Sequence, residues 1–286
     1  MKRITATVAA VAATIFLSWT GQAAAQCLAE IQEEGVIRVG NGLMGLKPYV
    51  WQEPDGTYMG FEKEIVDYVA GKLGVESEYV VTEWTTLIPG LKNDRWDIIL
   101  SGMAKTQERI QGGGIEFSDP YFLIFDRVIV LQDSPIQSME DLNGKLLAST
   151  LGTMDSLVAH SLVDQGIADS VLDFNTFGEP FLALRNKQAD AVIMDETTYI
   201  AQLEEMPDLR VVGEALFYVP KAEWAAAEET ADYRLGGIAV GVRQECTDLK
   251  DAVNQALADM AADGTREAIL RKYEIWSDDQ INLMKN

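Results

Sequence analysis

The side chains best suited to metal or nucleophilic chemistry are scarce in this chain of 286 residues. It contains one histidine, His160, and two cysteines, Cys27 and Cys246. A histidine-rich zinc site needs several histidines and a four-thiolate site needs four cysteines, so both kinds of site are excluded. No nucleophile lies near this histidine in a motif, and no phosphate-binding loop of the G-x-x-x-x-G-K-[ST] type occurs. The sequence therefore predicts no metal site, no cofactor and no catalysis by histidine.

The net charge limits the kinds of molecule that this protein is expected to bind. The chain has 45 acidic and 23 basic residues, and its formal net charge at pH 7 is -22. Nucleic acids and anionic lipid surfaces attract Lys and Arg, so neither is an expected partner. Hydrophobic residues make up 48% of the chain, which is too many for a disordered protein and enough for one or two cores. We expect a soluble, folded and acidic protein.

The first 25 residues have the pattern of a signal peptide. Lys2 and Arg3 form a short positive region, an apolar stretch covers about residues 4–19, and Ala23-Ala24-Ala25 fits the small-x-small cleavage rule. The apolar stretch is shorter than the ~20 residues that a membrane-spanning helix needs. We expect cleavage after Ala25 and export from the cytoplasm.

Export affects the interpretation of the two cysteines. An oxidising compartment permits a disulfide between Cys27, at the mature N-terminus, and Cys246, near the C-terminus. The alternative is two unrelated thiols, one buried and the other on a frayed terminus. We expect the disulfide.

Short apolar runs alternate with helical patterns along the mature chain. Strands are predicted at Val36–Gly40, Tyr79–Val81, Asp97–Ser101, Val128–Leu131 and Leu146–Ser149. Helices are predicted over Phe61–Leu73, over about Thr85–Lys92 and over Ser138–Leu142, where Ser138 is the cap. This alternation predicts an α/β fold with mostly parallel sheets.

One helix–turn–strand unit occurs twice. Residues 91–101 (LKNDRWDIILS) align without gaps with residues 184–194 (LRNKQADAVIM), and the same offset pairs Trp84 with Phe177. Three identities in eleven positions are within chance for units of this kind. The recurrence nevertheless favours two α/β lobes of similar plan.

The end of each repeated unit is a candidate ligand face. In open α/β sheets ligands bind outside the carboxyl ends of strands, which here correspond to Gly102 and Asp195. Asp195 also has the position of an N-cap for a helix that begins at Glu196. Thr153 precedes an apparent helix through Leu157, where it either caps the helix or helps its N-terminus to bind a carboxylate.

A series of segments occurs in an order that is typical of one known family. They are GVIRVG (35–40), DGTYMGFEKEIVDYVAGKLGV (55–75), WTTLIPGLKNDRWDIILSGMAKTQER (84–109), FSDPYF (117–122), SMEDLNGK (138–145), LGT (151–153), ADAVIMD (189–195) and the end segment 236–265. The chain resembles the periplasmic solute-binding proteins of the polar amino acid ABC-transporter family, family 3.

The resemblance implies the two-lobe, type II periplasmic-binding-protein fold. In this fold each lobe is a mostly parallel sheet flanked by helices, and two hinge strands join the lobes. We expect residues 1–25 to be the signal peptide, residues 26–126 and 236–286 to form lobe 1, and residues 127–235 to form lobe 2. Both cysteines then fall in lobe 1, which makes their pairing easier.

The resemblance also implies how a zwitterionic ligand is held. Arg109 matches the family's ligand-binding arginine, whose forked guanidinium suits a carboxylate. Without the surrounding motif, Arg109 would be interpreted as a surface residue paired with Glu116 or Asp119. Asp195 matches the aspartate that ends the family's ADAVxxD strand, and it would hold the ammonium group.

Other positions complete the expected ligand site. Trp84 occupies a pocket-wall position in the family, where its face would pack on the ligand, although core packing is the alternative. Trp51, in the first loop, is a weaker candidate. The remaining expected ligand residues are Thr153, Gly102, Ala104 and Met154.

The chain departs from the family pattern at two places. Ala104 stands where the family usually carries Ser or Thr, so one hydroxyl donor to the carboxylate is missing. Leu46 and Lys47 replace an aromatic residue of the first loop, and Lys47 either adds a positive charge near the cleft or points to solvent. These departures leave open an amino-acid-like ligand such as a cyclic amino acid, an opine or a betaine.

The expected function is binding without catalysis. The resemblance implies a periplasmic, monomeric protein that carries a small solute to an ABC permease in the inner membrane. One alternative is an exported enzyme on the same fold, similar to cyclohexadienyl dehydratases, with Glu179 or Glu196 as the general acid. Another is a ligand sensor that acts on a chemoreceptor.

Overall fold

The computed structural model describes residues 26–284. The predicted signal peptide, residues 1–25, lies outside them. The strands are β1 (Val36–Asn41), β2 (Trp51–Gln52), β3 (Tyr58–Met59), β4 (Glu76–Val81), β5 (Ile98–Ile99), β6 (Ile115–Leu123), β7 (Asp126–Leu131), β8 (Leu146–Thr150), β9 (Ser170–Phe174), β10 (Ala191–Asp195), β11 (Leu209–Leu216) and β12 (Gly237–Arg243). The α-helices are α1 (Cys27–Glu34), α2 (Phe61–Leu73), α3 (Leu87–Lys92), α4 (Met154–Asp164), α5 (Glu179–Arg185), α6 (Glu196–Gln202), α7 (Ala222–Glu229), α8 (Thr247–Ala262) and α9 (Thr265–Lys272).

Two five-stranded sheets follow the same plan. The first has the order β4-β1-β5-β12-β6, and the second, read in the same sense, has the order β9-β8-β10-β7-β11. In the first sheet only β12 runs against its neighbours, and in the second only β7 does so. The prediction of two mostly parallel α/β sheets is confirmed.

The chain passes between the sheets twice. It leaves the first sheet after β6 and enters the second at β7, and it returns between β11 and β12. The strands are thus divided much as the sequence suggests, while the lobe limits at residues 126 and 235 stay a prediction. No helix among residues 26–284 is long and apolar enough to cross a membrane.

The internal repeat extends to the backbone conformation. Its two copies correspond to α3–β5 and α5–β10. At equivalent positions between helix and strand, Asp94 has φ 56° and Lys187 has φ 58°. Positive φ is uncommon for non-glycine residues, so its occurrence at both positions favours a true structural repeat over chance.

Two predicted elements differ from the observed ones. The segment Met139–Leu142 is a 3-10 helix rather than an α-helix, although the expected cap is present as a capping box between Ser138 and Asp141. The predicted strand at Asp97–Ser101 shrinks to β5 because side chains replace ladder bonds at its ends. Asp97 accepts a hydrogen bond from the backbone N–H of Arg38 (2.7 Å), and Asn41 donates to the carbonyl of Leu100 (3.0 Å).

The disulfide between Cys27 and Cys246 is confirmed. It joins the start of α1 to the residue that precedes α8, and both half-cystines are buried. A hydrogen bond from the backbone N–H of Leu28 to the Asp248 carboxylate (3.0 Å) supports the same junction. The N-terminal helix is therefore anchored to the C-terminal part of the chain.

Candidate functional site

A cavity lies between the two sheets, at the carboxyl ends of several strands. The space between its walls is about 330 Å³, solvent at the mouth included. On one side it is lined by Leu43, Leu46, Tyr49, Trp84, Gly102, Ala104, Arg109 and Ile124, and on the other by Thr153, Met154, Asp155, Phe177 and Asp195. Gly102 and Asp195, the ends of the two repeated units, thus line the same cavity.

Arg109 lies in a single π-helical turn, Glu108–Gly112, and is only 9% exposed. Its guanidinium donates to the carbonyl oxygens of Ala104 (2.7 Å) and Gly152 (3.1 Å). Among residues 26–284 it forms no ion pair with a carboxylate, and Glu116 pairs instead with Lys250 at 3.1 Å. Burial lowers the pKa of Arg109 to about 10, so it remains charged at neutral pH. A buried guanidinium that is held by carbonyl oxygens and has no salt-bridge partner among residues 26–284 is suited to receive an anionic group.

Asp195 caps a helix and also lines the cavity. Its carboxylate caps α6 by accepting from the backbone N–H of Thr198 (2.9 Å), and it also accepts from the hydroxyls of Thr198 (2.5 Å) and Tyr49 (3.0 Å). Burial and the charge of Asp155 raise the pKa of Asp195 to about 6 against the effect of these donors. Because Asp195 also lines the cavity, capping and ligand contact are compatible.

Thr153 and Met154 also line the cavity, at the N-terminus of α4. Thr153 caps this helix, because its hydroxyl oxygen accepts from the backbone N–H of Ser156 (3.2 Å). The same hydroxyl donates to the carbonyl of Thr150 (2.7 Å). The expected hydroxyl donor to a carboxylate is therefore already used within the protein.

Trp84 connects the two sides of the cavity. Its indole N–H donates to the carbonyl oxygen of Gly152 (3.0 Å), and its ring meets Phe177 edge-on at 5.6 Å between centroids. The guanidinium carbon of Arg109 lies 5.9 Å from the Trp84 ring centroid. Trp84 thus forms a cavity wall and also packs between the lobes.

Gly102 forms a tight turn in the cavity wall. Its φ is +60°, and a Cβ atom there would lie 2.8 Å from Leu43 Cδ1. Its backbone N–H donates to the buried carboxyl of Glu62 (2.6 Å), which also accepts from the Tyr121 hydroxyl. Burial raises the pKa of Glu62 to about 7.

Trp51 is the one expected ligand residue that does not line the cavity. Its indole N–H donates to Glu53 (2.7 Å), and its ring meets Tyr273 edge-on at 6.1 Å. Lys47 is exposed and lies 5.5 Å from the Trp51 ring centroid, so it is not a cavity residue either.

Three prominent lining residues were not identified from the sequence. Tyr49 lies two residues after Lys47, in the part of the first loop where Leu46 and Lys47 depart from the family pattern. Phe177 was available from the repeat, since it is the counterpart of Trp84. Asp155 lies two residues after the LGT segment, and its signal was an acidic residue at the start of a predicted helix. Among residues 26–284, no group of three or more His, Cys, Asp and Glu side chains is arranged to hold a metal ion.

Comparison with known proteins decides the family. The sequence profile of the bacterial extracellular solute-binding proteins, family 3, matches residues 38–275. The chain belongs to this family. Among family 3 relatives, it is 28% identical over 230 residues to the probable histidine-binding protein of Campylobacter jejuni, covering 80% of this chain and 81% of the relative. It is 29% identical over 227 residues to the arginine-binding extracellular protein ArtP of Bacillus subtilis, covering 79% and 82%.

Solved structures agree with the family 3 assignment. The P235GK mutant of ArgBP from T. maritima superimposes with a TM-score of 0.72 at 28% identity, covering 87% of this chain and 99% of that one. An ancestral arginine-binding protein bound to arginine gives a TM-score of 0.71 at 27% identity, covering 84% and 98%. The ancestral amino acid-binding protein AncCDT-1, a precursor of cyclohexadienyl dehydratase, gives 0.70 at 27% identity, covering 86% and 98%. The fold is the type II periplasmic-binding-protein fold.

Proposed function

We propose that this protein is the periplasmic substrate-binding component of an ABC transporter. It binds a small zwitterionic amino acid, or an amino-acid-like solute, between its lobes and delivers the solute to a membrane permease. It acts as a monomer and releases the ligand unchanged. The named relatives, which bind histidine or arginine, support this class of ligand.

The observation that carries the proposal is the pairing of Arg109 and Asp195 on opposite sides of one cavity. The guanidinium is suited to the α-carboxylate of an amino acid, and the carboxylate of Asp195 is suited to its α-ammonium. Because the two residues belong to different lobes, a ligand that reaches both holds the lobes together. Domain closure of this kind is a common response to ligand binding.

An enzymatic function is the second candidate, because one similar structure is a precursor of cyclohexadienyl dehydratase. The two glutamates that the sequence offered as general acids do not line the cavity. Glu179 accepts from the backbone N–H of Thr176 (3.1 Å), and Glu196 pairs with Arg127 (2.8 Å). Their positions favour binding over catalysis. A sensor for a chemoreceptor would use the same cavity.

Substitution of Arg109 tests the proposed function. We expect Arg109→Ala to weaken amino acid binding by about 100-fold or more, since a charge-assisted hydrogen bond contributes about 1.5–3 kcal/mol and the fork makes two. Arg109→Lys should recover only part of the affinity, because it keeps the charge and loses the fork. The measurement is calorimetric titration with the tightest amino acid found in a thermal-shift screen.

The control is Arg95→Ala, which removes an exposed arginine near the same sheet and should leave the affinity unchanged. Unchanged affinity in Arg109→Ala would contradict the assigned carboxylate site. Turnover of the bound solute or of prephenate, followed by NMR, would contradict binding without conversion.

A further inference from the structure

Three acidic side chains meet on one side of the cavity. Asp126, Asp155 and Asp195 are 1%, 3% and 4% exposed. Asp126 begins β7 and Asp195 ends β10, and the two are direct partners in the antiparallel register of these strands. Their side chains therefore lie side by side on one face of the sheet, which is unfavourable for two like charges. Asp155, in the first turn of α4, completes the cluster.

The three carboxyl groups are not equally satisfied. Asp195 accepts from Thr198 and Tyr49. Asp126 and Asp155 lie close enough to interact, and burial together with the neighbouring carboxyl groups raises the pKa of Asp126 well above its ordinary value. The Oδ1 oxygen of Asp126 is buried and has no hydrogen-bond partner among residues 26–284. A buried carboxylate oxygen without a donor is costly, and a cation or a donor placed there would be stabilising.

The cavity has more negative than positive groups. Arg109 is the one cation among the residues that line it, while Asp155 and Asp195 line it with Asp126 next to them. A zwitterion brings one charge of each sign, so it can satisfy Arg109 and Asp195 and leaves the Asp126–Asp155 pair unmatched. An acidic residue in a helix's first turn is common because of the helix dipole. The helix dipole therefore accounts for Asp155, but it does not account for the buried carboxyl group of Asp126 beside it.

We propose that Asp155, supported by Asp126, forms a second cation subsite, so that the protein selects ligands with one carboxylate and two cationic nitrogens. This inference rests on the proposed function, since it takes Arg109 and Asp195 as the sites of the α-carboxylate and α-ammonium. The second cation displaces a proton from these crowded, buried carboxyl groups, whose pKa values are raised. Binding of a cationic ligand therefore releases a proton to solvent, and binding of a neutral side chain does not.

The groups that surround the cluster set the direction of its pH dependence. Asp155 faces Arg109 across the cavity, which favours its charged form, and Asp195 faces Tyr49. Burial acts in the opposite direction and raises the pKa of all three carboxyl groups. The cluster therefore keeps its protons to a higher pH than ordinary carboxyl groups do, and affinity for a dicationic ligand rises as increasing pH removes them.

The test uses pairs of ligands that differ mainly in side-chain charge, arginine with citrulline and lysine with norleucine. We expect the cationic member to bind at least about 30-fold more tightly at pH 7.5, by calorimetric titration. Titrations in two buffers of different ionisation enthalpy should detect up to one released proton for the cationic member only.

Asp155→Asn and Asp126→Asn should reduce the preference within each pair to less than about 3-fold and abolish proton release. Their ligand-free melting temperature should stay the same or rise, because a like-charge contact is removed. Asp164→Asn, at the exposed end of the same helix, is the control and should keep the preference.

The possible outcomes separate the two proposals. If citrulline and norleucine bind as tightly as their cationic counterparts, or Asp155→Asn keeps the preference, the second subsite is refuted and the proposed function stands. If none of the four ligands, nor any other amino acid or amino-acid-like solute such as an opine or a betaine, binds the wild type, the proposed function itself is refuted.

Discussion

At the scale of single residues, the cavity depends on contacts that join its two sides. Tyr49 is the clearest case, because its buried hydroxyl donates to the carboxylate of Asp195. Burial and the nearby charge of Asp195 raise the pKa of Tyr49, so it remains a donor at all physiological pH values. This bond orients Asp195 and contributes to closure of the lobes.

Tyr49→Phe removes this donor and keeps the ring. We expect ligand affinity to fall about 10-fold, since a hydrogen bond to a charged group is worth roughly 1.5–3 kcal/mol, part of which solvent recovers. Calorimetric titration measures the change. Tyr58→Phe, in the β2–β3 hairpin, is the matched control. Equal affinities in the two variants would show that the Tyr49 hydroxyl does not matter for binding.

The sequence predicted these residues unevenly. Arg109, Asp195 and Trp84 were recognisable because each belongs to a segment with a family pattern, and all three line the cavity. Asp126 and Tyr49 carry no such local signal. Asp126 becomes significant only through its register with Asp195, and a pairing between strands about 70 residues apart cannot be obtained from composition or periodicity.

At the scale of elements, helices were easier to predict than the short segments. The helix α2 follows an apolar repeat and ends at Gly74, whose left-handed conformation closes it as expected. The strand β5 and the 3-10 helix at Met139–Leu142 differ from expectation because side-chain hydrogen bonds, rather than backbone propensity, determine their limits. At β5 these bonds join residues 59 positions apart, which periodicity cannot reveal, whereas the capping box of the 3-10 helix spans three residues and its Ser138 cap was predicted.

The disulfide between α1 and α8 provides a prediction at this scale. We expect the double variant Cys27→Ser/Cys246→Ser to lose about 2–4 kcal/mol of unfolding free energy, because the unfolded chain is no longer cross-linked. Guanidinium-chloride unfolding measures the loss, and reduced wild type should behave similarly. Ligand affinity should not change, since neither cysteine lines the cavity. If the double variant folds normally but binds its ligand more weakly, the disulfide affects binding as well as stability, and the prediction is wrong.

At the scale of the whole molecule, the sequence predicted two similar lobes but not the contacts between them across the cleft. The internal repeat predicted that the two lobes share one plan. The structure also shows that Trp84 and Phe177, which occupy equivalent positions in the repeat, contact each other across the cleft. Asp155 and Asp195 line the same cavity as these two rings, and the buried Glu62 accepts a hydrogen bond from Gly102 in the cavity wall. They make the stability of the molecule dependent on pH.

Stability should fall as the pH rises from about 4.5 to 7. The pKa of Glu62 is about 7 in the folded protein against 4.5 ordinarily, and that of Asp195 is about 6 against 3.8. In this interval the unfolded chain binds fewer protons than the folded one, so raising the pH favours unfolding. For Glu62 alone the loss is at most about 3 kcal/mol.

Urea unfolding at pH 5 and pH 7.5 tests the effect. Glu62→Gln should flatten the pH dependence, whereas Glu76→Gln, an exposed residue of β4, should not. Stability that rises over this interval in the wild type would contradict the assignment.

The carbonyl oxygen of Gly152 accepts both from Trp84 and from Arg109. A carbonyl oxygen has two lone pairs, so this acceptor is saturated and offers nothing to a ligand. Under the two proposals above, cationic groups of the ligand would bind carboxylates on one lobe, and its carboxylate would bind a guanidinium on the other. A ligand attached at all three points would fit in one orientation, and its mirror image would not match all three. We therefore expect the cavity to distinguish the two enantiomers of its ligand.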